Sequence, residues 1–354
     1  MKGRTLAVAG AGLGVGVLAA AAMAGGFCAR RPYDWAGKVA LVTGGSRGLG
    51  LVLARELVCR GARVAICARD RVELASARAE LAARGDEEAF AVVCDLTDAN
   101  SVRSMIRTVE QRLGPIDALF NNAGVIAVGP ADVMGPEDYE RALRTHFWAP
   151  LYTTMAVLPG MRERGGGRIV NISSIGGKVA VPHMAPYCAS KFALAGVGEA
   201  LAEEFRRYGV YITTVFPGLM QTGSPVNALF KGRHRAEYTW FALSSSVPGL
   251  VMSPEKAARR VLRAAERGRA QLVVGLPAKL AAAAHGLMPE TWVSIMAGLN
   301  RVLPGPGGIE EPVRGRESET AVSTSFLTRA VYRAAERNNQ FAASRPPFAG
   351  ASPS

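Results

Sequence analysis

The sequence predicts an α/β protein in which a parallel sheet of about seven strands lies between two layers of helices, a doubly wound three-layer sandwich. Three observations predict this fold. Short apolar runs alternate with helix-like runs from Gly37 onward, a glycine-rich turn at 43–50 follows the first apolar run, and small or polar residues follow several later runs. Alternation of strands and helices implies right-handed βαβ units and a parallel sheet, which binds ligands beyond the carboxyl ends of its strands.

The predicted elements follow one another between residues 36 and 275, which we take as the central domain. Strands are predicted at the short apolar runs 39–42, 63–67, 89–94, 118–120, 168–172, 210–216 and 272–274. The helices between the first strands are predicted to end at Gly61, Gly85 and Gly114. Glycine is common there because it adopts the left-handed conformation that closes many helices.

The first 35 residues are predicted to be a separate apolar segment. Residues 5–29 carry no charge, and basic residues flank them on both sides. Because a run of this length can span a bilayer, we predict an uncleaved membrane anchor with the rest of the chain facing the cytoplasm. The alternative is a cleaved signal peptide, since residues 22–24 resemble a cleavage site; the domain would then be soluble or exported.

Charge and cysteine content narrow the classes of partner. The net charge of +13 makes nucleic acid one candidate, but the basic residues are mostly scattered arginines without zinc-finger spacing or a dense basic block. No nucleic-acid partner is therefore predicted, and a phosphorylated cofactor or an anionic membrane surface accounts for the same charge. The five cysteines form no C-x-x-C pair, which argues against a metal site or a disulfide framework and favours a reducing compartment.

Beyond Gly275 the chain is predicted to leave the central domain. Residues 276–303 are apolar and predict a helical extension, which covers a ligand pocket, lies on a membrane surface or, as favoured here, completes the core. Residues 304–325 are rich in proline, glycine and glutamate and predict a linker. A short helix is predicted at 326–337, and a disordered tail is predicted to end the chain at residue 354.

The glycine-rich turn is the first candidate binding site. Thr43-Gly44-Gly45-Ser46-Arg47-Gly48-Leu49-Gly50 joins a predicted strand to a predicted helix. In this arrangement glycines let the backbone approach a pyrophosphate at the helix N-terminus. Arg47 lies within the turn, and Arg69 follows the second strand, where an acidic residue accepts the ribose hydroxyls of NAD. Two guanidinium groups favour the 2′-phosphate of NADP instead; the alternative is a pair of solvated surface arginines.

Two further polar motifs follow the third and fourth strands. The carboxylate of Asp95, which precedes Leu96, can accept a hydrogen bond from an adenine amine, or it belongs to the first turn of a helix. Asn121-Asn122-Ala123-Gly124 lets the chain pass close to a flat ring or a ribose. Asparagine and glycine also dominate ordinary turns, so this motif alone does not identify a site.

Ser173-Ser174 and the run Tyr187-Cys188-Ala189-Ser190-Lys191 carry the candidate chemistry. On a helix Tyr187 and Lys191 are four residues apart and therefore share a face. A nearby ammonium lowers the phenol pKa from its ordinary value of about 10. The lower pKa would prepare the tyrosine for proton exchange near neutral pH.

These motifs, in this order, resemble those of the short-chain dehydrogenase/reductase family in its regular-length branch. The resemblance covers roughly residues 36–275 and selects Ser174 rather than Ser173 by its spacing to Tyr187. It implies a Rossmann fold and a nicotinamide cofactor. The residues implied to bind that cofactor are Thr43, Gly44, Ser46, Arg47, Gly48, Leu49, Gly50, Arg69, Asp95, Leu96, Asn122, Ala123, Gly124, Tyr187, Lys191, Pro217, Gly218 and Thr222.

The resemblance also implies an activity, the transfer of a hydride between the nicotinamide and a carbonyl or alcohol substrate. NADP(H) is the implied cofactor and NAD(H) the less favoured one. Ser174 would hold the substrate oxygen, Tyr187 would give or take the proton, and Lys191 would hold the nicotinamide ribose and depress the tyrosine pKa. The apolar terminal regions predict a lipophilic substrate, and the family implies a homodimer or homotetramer.

His146 is the one departure from the family pattern. The family usually carries an asparagine at this place, which helps keep a water next to the lysine. An imidazole can hold a water or pass a proton, so His146 is predicted to be a modified member of the catalytic set; the alternative is a packed helix histidine. The departure leaves a second function open, an NADP(H)-binding protein with little or no turnover. His183 is assigned no role.

Overall fold

Seven parallel strands form the central sheet of the computed structural model, which describes residues 32–341 except Glu87, Pro248, Phe326 and Leu327. Its strand order is β3-β2-β1-β4-β6-β7-β9. The ten strands, three of which form a second sheet, are β1 (Val39–Thr43), β2 (Arg63–Ala68), β3 (Phe90–Val93), β4 (Ala118–Asn121), β5 (Ala127–Val128), β6 (Gly167–Ile172), β7 (Val210–Pro217), β8 (Leu229–Gly232), β9 (Gln271–Val274) and β10 (Ile309–Arg314).

Helices cover both faces of the central sheet, as the predicted doubly wound architecture requires. They are α1 (Gly48–Val58), α2 (Arg71–Ala83), α3 (Ala99–Leu113), α4 (Pro136–Leu143), α5 (Ala149–Glu163), α6 (Ala185–Phe205), α7 (His234–Ser244), α8 (Pro254–Glu266), α9 (Leu276–Leu287), α10 (Pro289–Asn300) and α11 (Arg329–Arg337). Asp70 and Asp98 accept hydrogen bonds from the first backbone N–H groups of α2 and α3. Both helices therefore begin at the aspartate caps that helix starts favour.

Continuous burial of the central strands explains why they stand out in the sequence as apolar runs. Every residue of β1 and β4 is buried, since both faces of a parallel sheet are covered and its strands are near-continuous apolar runs. β1 pairs with β4 in register, Leu41 opposite Leu119. All seven predicted strands are confirmed, with ends that differ by one residue at most.

A second sheet corrects the prediction that residues 304–325 are a linker. β10 pairs antiparallel with β8, which pairs parallel with β5. The pairing is irregular between Ile309 and Val313, the stretch that contains Pro312. Proline cannot donate a ladder hydrogen bond and is confined to edge strands and irregularities, which is why this run did not read as a strand.

The α9–α10 hairpin (residues 276–300) corrects the expectation that the apolar extension completes the core. Both helices are present, but in this fully described hairpin only Ala278 is buried. Its large apolar side chains face outward: Leu287 is 81% exposed and Val293 is 61% exposed. Apolar composition therefore predicted the helices correctly and their burial wrongly.

The terminal segments are only partly described. The predicted anchor at 1–35 lies outside the described residues up to residue 31, and so does the predicted tail from residue 342. In the stretch 32–341, with its four gaps, no helix combines the length and apolar character needed to cross a bilayer. The predicted short helix near the end is confirmed as α11, which buries Val331, Tyr332 and Ala335.

Candidate active site

The candidate site lies at the carboxyl ends of β1, β4, β6 and β7. β1 and β4 are neighbours in the sheet, although the chain passes from β1 to β2. Such a reversal of strand order opens a crevice at the carboxyl ends of the strands, where ligands of doubly wound proteins bind. The glycine-rich turn, the asparagine motif, Ser174 and Thr222 all follow these strands.

Glycines shape a cradle between the turn after β1 and the loop after β4. Gly44 has a φ of 62°, and a Cβ at this position would lie 2.8 Å from Cα of Ala123. A Cβ on Gly50 would collide with the carbonyl oxygen of Gly44. Thr43 Oγ1 accepts hydrogen bonds from the backbone N–H groups of Asn122 at 3.0 Å and Ala123 at 3.1 Å. Close backbone approach at the N-terminus of α1 fits a dinucleotide pyrophosphate.

The two asparagines of the loop after β4 hold that cradle together. The Asn122 amide donates to the carbonyl oxygen of Thr43 at 3.1 Å. Asn121 is buried, donates to Asn171 Oδ1 at 2.9 Å and accepts from Thr153 Oγ1 at 2.6 Å. Asn121 thus joins β4 to β6 and α5, which explains an asparagine in an otherwise apolar strand.

Arg47 does not stand free in the turn, because Glu73 of α2 binds it. Arg47 Nη1 lies 2.7 Å from Glu73 Oε1, and Ser46 Oγ donates to Glu73 Oε2 at 3.0 Å. The Glu73 side chain is mostly buried. Sequence reasoning missed Glu73, whose only local signal is an acidic residue in the first turn of a helix, where the helix dipole favours it.

Arg69 and Asp95 lie near each other at the ends of β2 and β3. Both are exposed. The pKa of Asp95 is lowered mainly by the hydrogen bond from the backbone of Thr97, and the Arg69 guanidinium lowers it further. Asp70, next to Arg69, caps α2 by accepting from Val72 and Glu73, so it has a structural role.

Ser174, Tyr187 and Lys191 come together beyond the end of β6. Ser174 Oγ accepts a hydrogen bond from the backbone of Gly176 at 3.1 Å, and the Ser174 side chain is close enough to Tyr187 to lower the pKa of the phenol. Lys191 Nζ donates to the carbonyl oxygen of Ile172 at 2.9 Å and lies 5.7 Å from the centroid of the Tyr187 ring. The structure therefore assembles the three residues that the spacing selected.

Burial, rather than the ammonium, dominates the titration of the tyrosine. Desolvation raises the pKa of Tyr187 to about 12, and the hydrogen bond to Ser174 only partly opposes it. Desolvation also lowers the pKa of Lys191 to about 7. Lys191 is not among the groups that shift the pKa of Tyr187 in this structure, so depression of that pKa by Lys191 stays a prediction.

His146 is buried in a single π-helical turn between α4 and α5. Its Nε2 accepts from the backbone N–H of Val125 at 3.1 Å, so the proton is on Nδ1, which lies 2.8 Å from Ser190 Oγ. Ser190 Oγ in turn donates to the carbonyl oxygen of Tyr187 at 2.8 Å. Burial, with a smaller effect of Lys191, holds the pKa of His146 well below 6.5. Both ring nitrogens are bonded, which favours the packed histidine over the water-holding relay.

Gly124 fits between these groups for a steric reason. A Cβ at Gly124 would lie 3.1 Å from His146 Nε2 and 3.7 Å from Lys191 Nζ. A larger residue would push the imidazole or the ammonium from its place. The last glycine of the asparagine motif therefore lets His146 and Lys191 approach the loop after β4.

The segment after β7 carries the remaining predicted residues. β7 ends at Pro217, and Gly218 donates its backbone N–H to Val274 at 3.1 Å. The carbonyl oxygen of Thr222 accepts a hydrogen bond from Gln340 Nε2 at 3.2 Å. Gln340 follows the C-terminal helix α11, and no local sequence signal places it at this site.

A buried pair near Tyr187 was also missed. His183 Nδ1 lies 2.8 Å from Glu237 Oε1, and Glu237 Oε2 accepts from Trp240 Nε1 at 2.7 Å. His183 has a φ of 62°, a left-handed conformation that is uncommon for residues other than glycine. The pair joins the loop before α6 to α7, so His183 has a structural role that its sequence context did not indicate.

A cavity of about 10 Å³ lies beside Tyr187, with Asp138 and Arg141 of α4 in its wall. This volume holds about one water. Asp138 is buried and pairs with Lys231 of β8 at 2.7 Å and with Arg141. The cavity wall therefore contains a buried carboxylate that is paired with two cationic side chains.

Comparison with known proteins identifies the same region of the chain. The short chain dehydrogenase family model matches residues 38–229. The 3-dehydrosphinganine reductase of Danio rerio is 31% identical over 278 residues, 77% of this chain and 81% of that protein. The gluconate 5-dehydrogenase of Gluconobacter oxydans is 36% identical over 190 residues, 54% of this chain and 74% of that protein.

A solved structure agrees with these matches. The crystal structure of a single-residue variant of the actinorhodin polyketide ketoreductase with NADPH is 33% identical, with a TM-score of 0.61. The match covers 69% of this chain and 97% of that one. The three named relatives differ in the substrates that their names state.

Proposed function

Since this chain belongs to the short-chain dehydrogenase/reductase family and is an oxidoreductase acting on CH–OH groups, we propose that it is an NADPH-dependent reductase of a lipophilic carbonyl compound. One observation carries the proposed direction. Tyr187 lies beside Ser174, and burial raises its pKa to about 12, so the phenol is protonated at neutral pH. A protonated phenol beside a hydroxyl is suited to deliver a proton to a carbonyl oxygen.

The proposed roles follow from this arrangement. Ser174 holds the substrate oxygen, and the Tyr187 hydroxyl gives its proton to that oxygen as the carbonyl carbon becomes a CH–OH carbon. Lys191, fixed by Ile172, holds the nicotinamide ribose. The nicotinamide supplies the hydride when bound. The reverse reaction needs the tyrosinate, which the raised pKa disfavours at pH 7.

The preference for NADP is proposed from two arginines. Arg69 is exposed at the end of β2, and Arg47 lies in the glycine-rich turn. Guanidinium groups match phosphate geometry, and the related actinorhodin ketoreductase was solved with NADPH. Glu73 opposes this preference, because its carboxylate already binds Arg47 and Ser46.

The lipophilic substrate and a membrane partner are proposed from the α9–α10 hairpin. Its outward apolar side chains form the kind of surface that marks a membrane or protein contact. The uncharged stretch 5–29 has the composition of an anchor, and the Danio rerio relative is named as a 3-dehydrosphinganine reductase. We expect sedimentation with anionic vesicles, weakened by Leu287→Ser with Val293→Ser; equal sedimentation of the variant would remove the hairpin from the proposal.

Self-association is proposed as a homodimer or homotetramer. Trp148, Met155 of α5 and Phe192 of α6 are large apolar side chains that remain exposed in the single chain. Apolar surface of this kind favours contact between copies. Light scattering that reports only a monomer in detergent would contradict the proposed self-association.

A second candidate function, dinucleotide binding with little turnover, is favoured by one observation. His146 replaces the family asparagine and has both ring nitrogens bonded within the protein. A chain without the usual water site has less means to replace the proton that Tyr187 gives up. Binding of NADPH without turnover on any substrate would favour this candidate.

One experiment separates the two functions. The full chain is incubated with NADPH or NADH and a panel of lipophilic ketones and aldehydes, and the loss of reduced-nicotinamide absorbance is followed. We expect turnover that prefers NADPH and that disappears in Tyr187→Phe. Turnover that persists in Tyr187→Phe would contradict the tyrosine role, and equal rates with both cofactors would contradict the NADP preference.

A further inference from the structure

Residues 338–340, which follow α11, lie across the glycine-rich turn. The carbonyl oxygen of Asn338 accepts the backbone N–H of Gly48 at 2.8 Å. Asn339 Nδ2 donates to the carbonyl oxygen of Ser46 at 2.9 Å. We call these three residues the C-terminal strap.

The strap occupies the space that a dinucleotide needs. Gly48 has a φ of 58°, and a Cβ at this position would lie 2.9 Å from Gln340 Nε2. Glycine at this place in a dinucleotide-binding turn lets the backbone approach the pyrophosphate. Here the Gln340 amide occupies the space beside Gly48. The carbonyl oxygen of Asn338 accepts the Gly48 N–H that would otherwise donate to a phosphate oxygen.

The strap also closes the crevice from its other side. Gln340 Nε2 donates to Thr222 at 3.2 Å, and Asn227 Nδ2 donates to Gln340 Oε1 at 2.8 Å. Asn338 and Gln340 are both buried. One short segment therefore bridges the turn after β1 and the segment after β7, the two walls between which the cofactor is proposed to lie.

Arg55 of α1 fixes the beginning of the strap. Its guanidinium donates to the carbonyl oxygen of Arg337 at 2.8 Å and to Asn338 Oδ1 at 3.1 Å. Asn338 Nδ2, by contrast, is buried and has no hydrogen-bond partner among the described residues. An unpaired buried donor is unfavourable, so the closed position stores a cost that release of the strap removes.

We propose that the C-terminal strap is autoinhibitory: it occupies the pyrophosphate position and must leave before the dinucleotide binds. The strap makes mostly neutral hydrogen bonds with the cleft, whereas a diphosphate makes charge-assisted ones that are about twice as strong. A dinucleotide can therefore displace it. This inference rests on the proposed cofactor site.

Only molecules with an open strap bind the cofactor, so the apparent affinity equals the intrinsic affinity multiplied by the open fraction. Removal of the strap therefore tightens binding of NADPH and NADH by the same factor, because both carry the pyrophosphate. An effect on the 2′-phosphate contacts would instead change NADPH alone. Equal tightening of both cofactors is thus the signature of strap release.

The test uses the full chain and equilibrium titration of NADPH and NADH by fluorescence. Asn339 has a φ of 56°, so Asn339→Gly removes its side-chain hydrogen bonds without backbone strain, and Gln340→Ala removes the bridge to Thr222. We expect the double variant to bind both cofactors at least about tenfold more tightly, since four neutral side-chain hydrogen bonds are lost from the closed state. Gln111→Ala and Asn300→Gly, at exposed positions away from the strap, serve as matched controls and leave Kd unchanged.

A second measurement needs no variant. Trypsin cleavage after the exposed Arg337 releases residues 338–354, which intact mass detects, and we expect NADPH to accelerate this cleavage in the wild-type chain. Unchanged Kd in the double variant, or protection of the strap by NADPH, would overturn the strap alone. If neither cofactor binds to any form, including the double variant, the strap and the proposed cofactor site are both wrong.

Discussion

The two halves of the crevice are prepared in different ways. On the proton-transfer side, Ser174 Oγ is bonded to the backbone of Gly176 and Lys191 Nζ to Ile172 of β6, and a cavity the size of one water lies beside Tyr187. On the phosphate side, Glu73 and the C-terminal strap already use Ser46, Arg47 and the Gly48 N–H. The proton-transfer groups are thus already in place for chemistry, whereas dinucleotide binding on the phosphate side is proposed to displace the protein's own groups.

The largest expected effect tests whether the two sides act separately. Tyr187→Phe removes the proton donor, and we expect kcat to fall about 10³-fold, within the range that positioned acid–base groups contribute. NADPH affinity should change by less than about twofold, because the phosphate side is untouched. Steady-state kinetics and fluorescence titration measure the two quantities; a parallel loss of affinity would show that the sides are coupled.

The next prediction concerns Lys191 and the stability of the proton-transfer side. Burial lowers its pKa from 10.5 to about 7, so between these values the unfolded chain binds more protons than the folded one. The free energy of unfolding therefore rises with pH across about 7 to 10.5, by on the order of 1 kcal/mol per pH unit. Urea denaturation of wild type and Lys191→Met at several pH values isolates this contribution.

The control is the difference in unfolding free energy between wild type and Lys191→Met at each pH, because the contributions of the other ionisable groups cancel in that difference. The free energy of unfolding of Lys191→Met should lack this rise with pH. The variant should exceed wild type in stability most below pH 7, where the buried ammonium is most unfavourable. A difference that stays flat between pH 7 and 10.5 would mean that Lys191 is not desolvated as the structure indicates.

On the phosphate side, Glu73→Gln should improve NADPH binding about tenfold at most and leave NADH binding unchanged. The carboxylate competes with a 2′-phosphate for Ser46 and Arg47, and a neutral amide removes the repulsion between two anions while keeping hydrogen-bonding atoms. Glu88→Gln, which alters an exposed ion pair with Arg63, is the matched control. Weaker NADPH binding in Glu73→Gln would mean that Glu73 positions Arg47 instead.

The smallest expected effect concerns His146, which borders the proton-transfer side. His146→Ala leaves the Val125 N–H without its acceptor and removes one of the two partners of Ser190 Oγ, at a cost of about 1–3 kcal/mol in unfolding free energy. His146→Asn should recover part of this loss, and turnover should change by less than about tenfold. A new pH dependence of kcat in His146→Ala would instead support the relay role.

Sequence reasoning found the elements whose signals are local and missed those that depend on distant contacts. The seven strands and the Ser174, Tyr187 and Lys191 set follow from apolar runs and spacing, which are properties of short windows. Glu73 and Gln340 act through partners far along the chain, so neither shows a local signal.

Two C-terminal segments show that amino-acid composition does not predict which helices are buried. The α9–α10 hairpin is apolar yet exposed, whereas α11 carries several arginines yet buries Tyr332 and Ala335. Periodic placement of apolar side chains decides which face of a helix packs. What that face packs against is set by tertiary structure, which composition does not report.

The glycine-rich turn and the C-terminal strap are far apart in sequence, which has a consequence for synthesis of the protein. Asn339 and Ser46 are 293 residues apart, so at about 5–20 residues per second a ribosome needs about 15–60 s to pass from one to the other. During that interval the turn exists without the strap. A nascent chain whose sheet has formed could therefore bind dinucleotide before its own C-terminus is made. The finished protein would then retain the dinucleotide that it bound during synthesis.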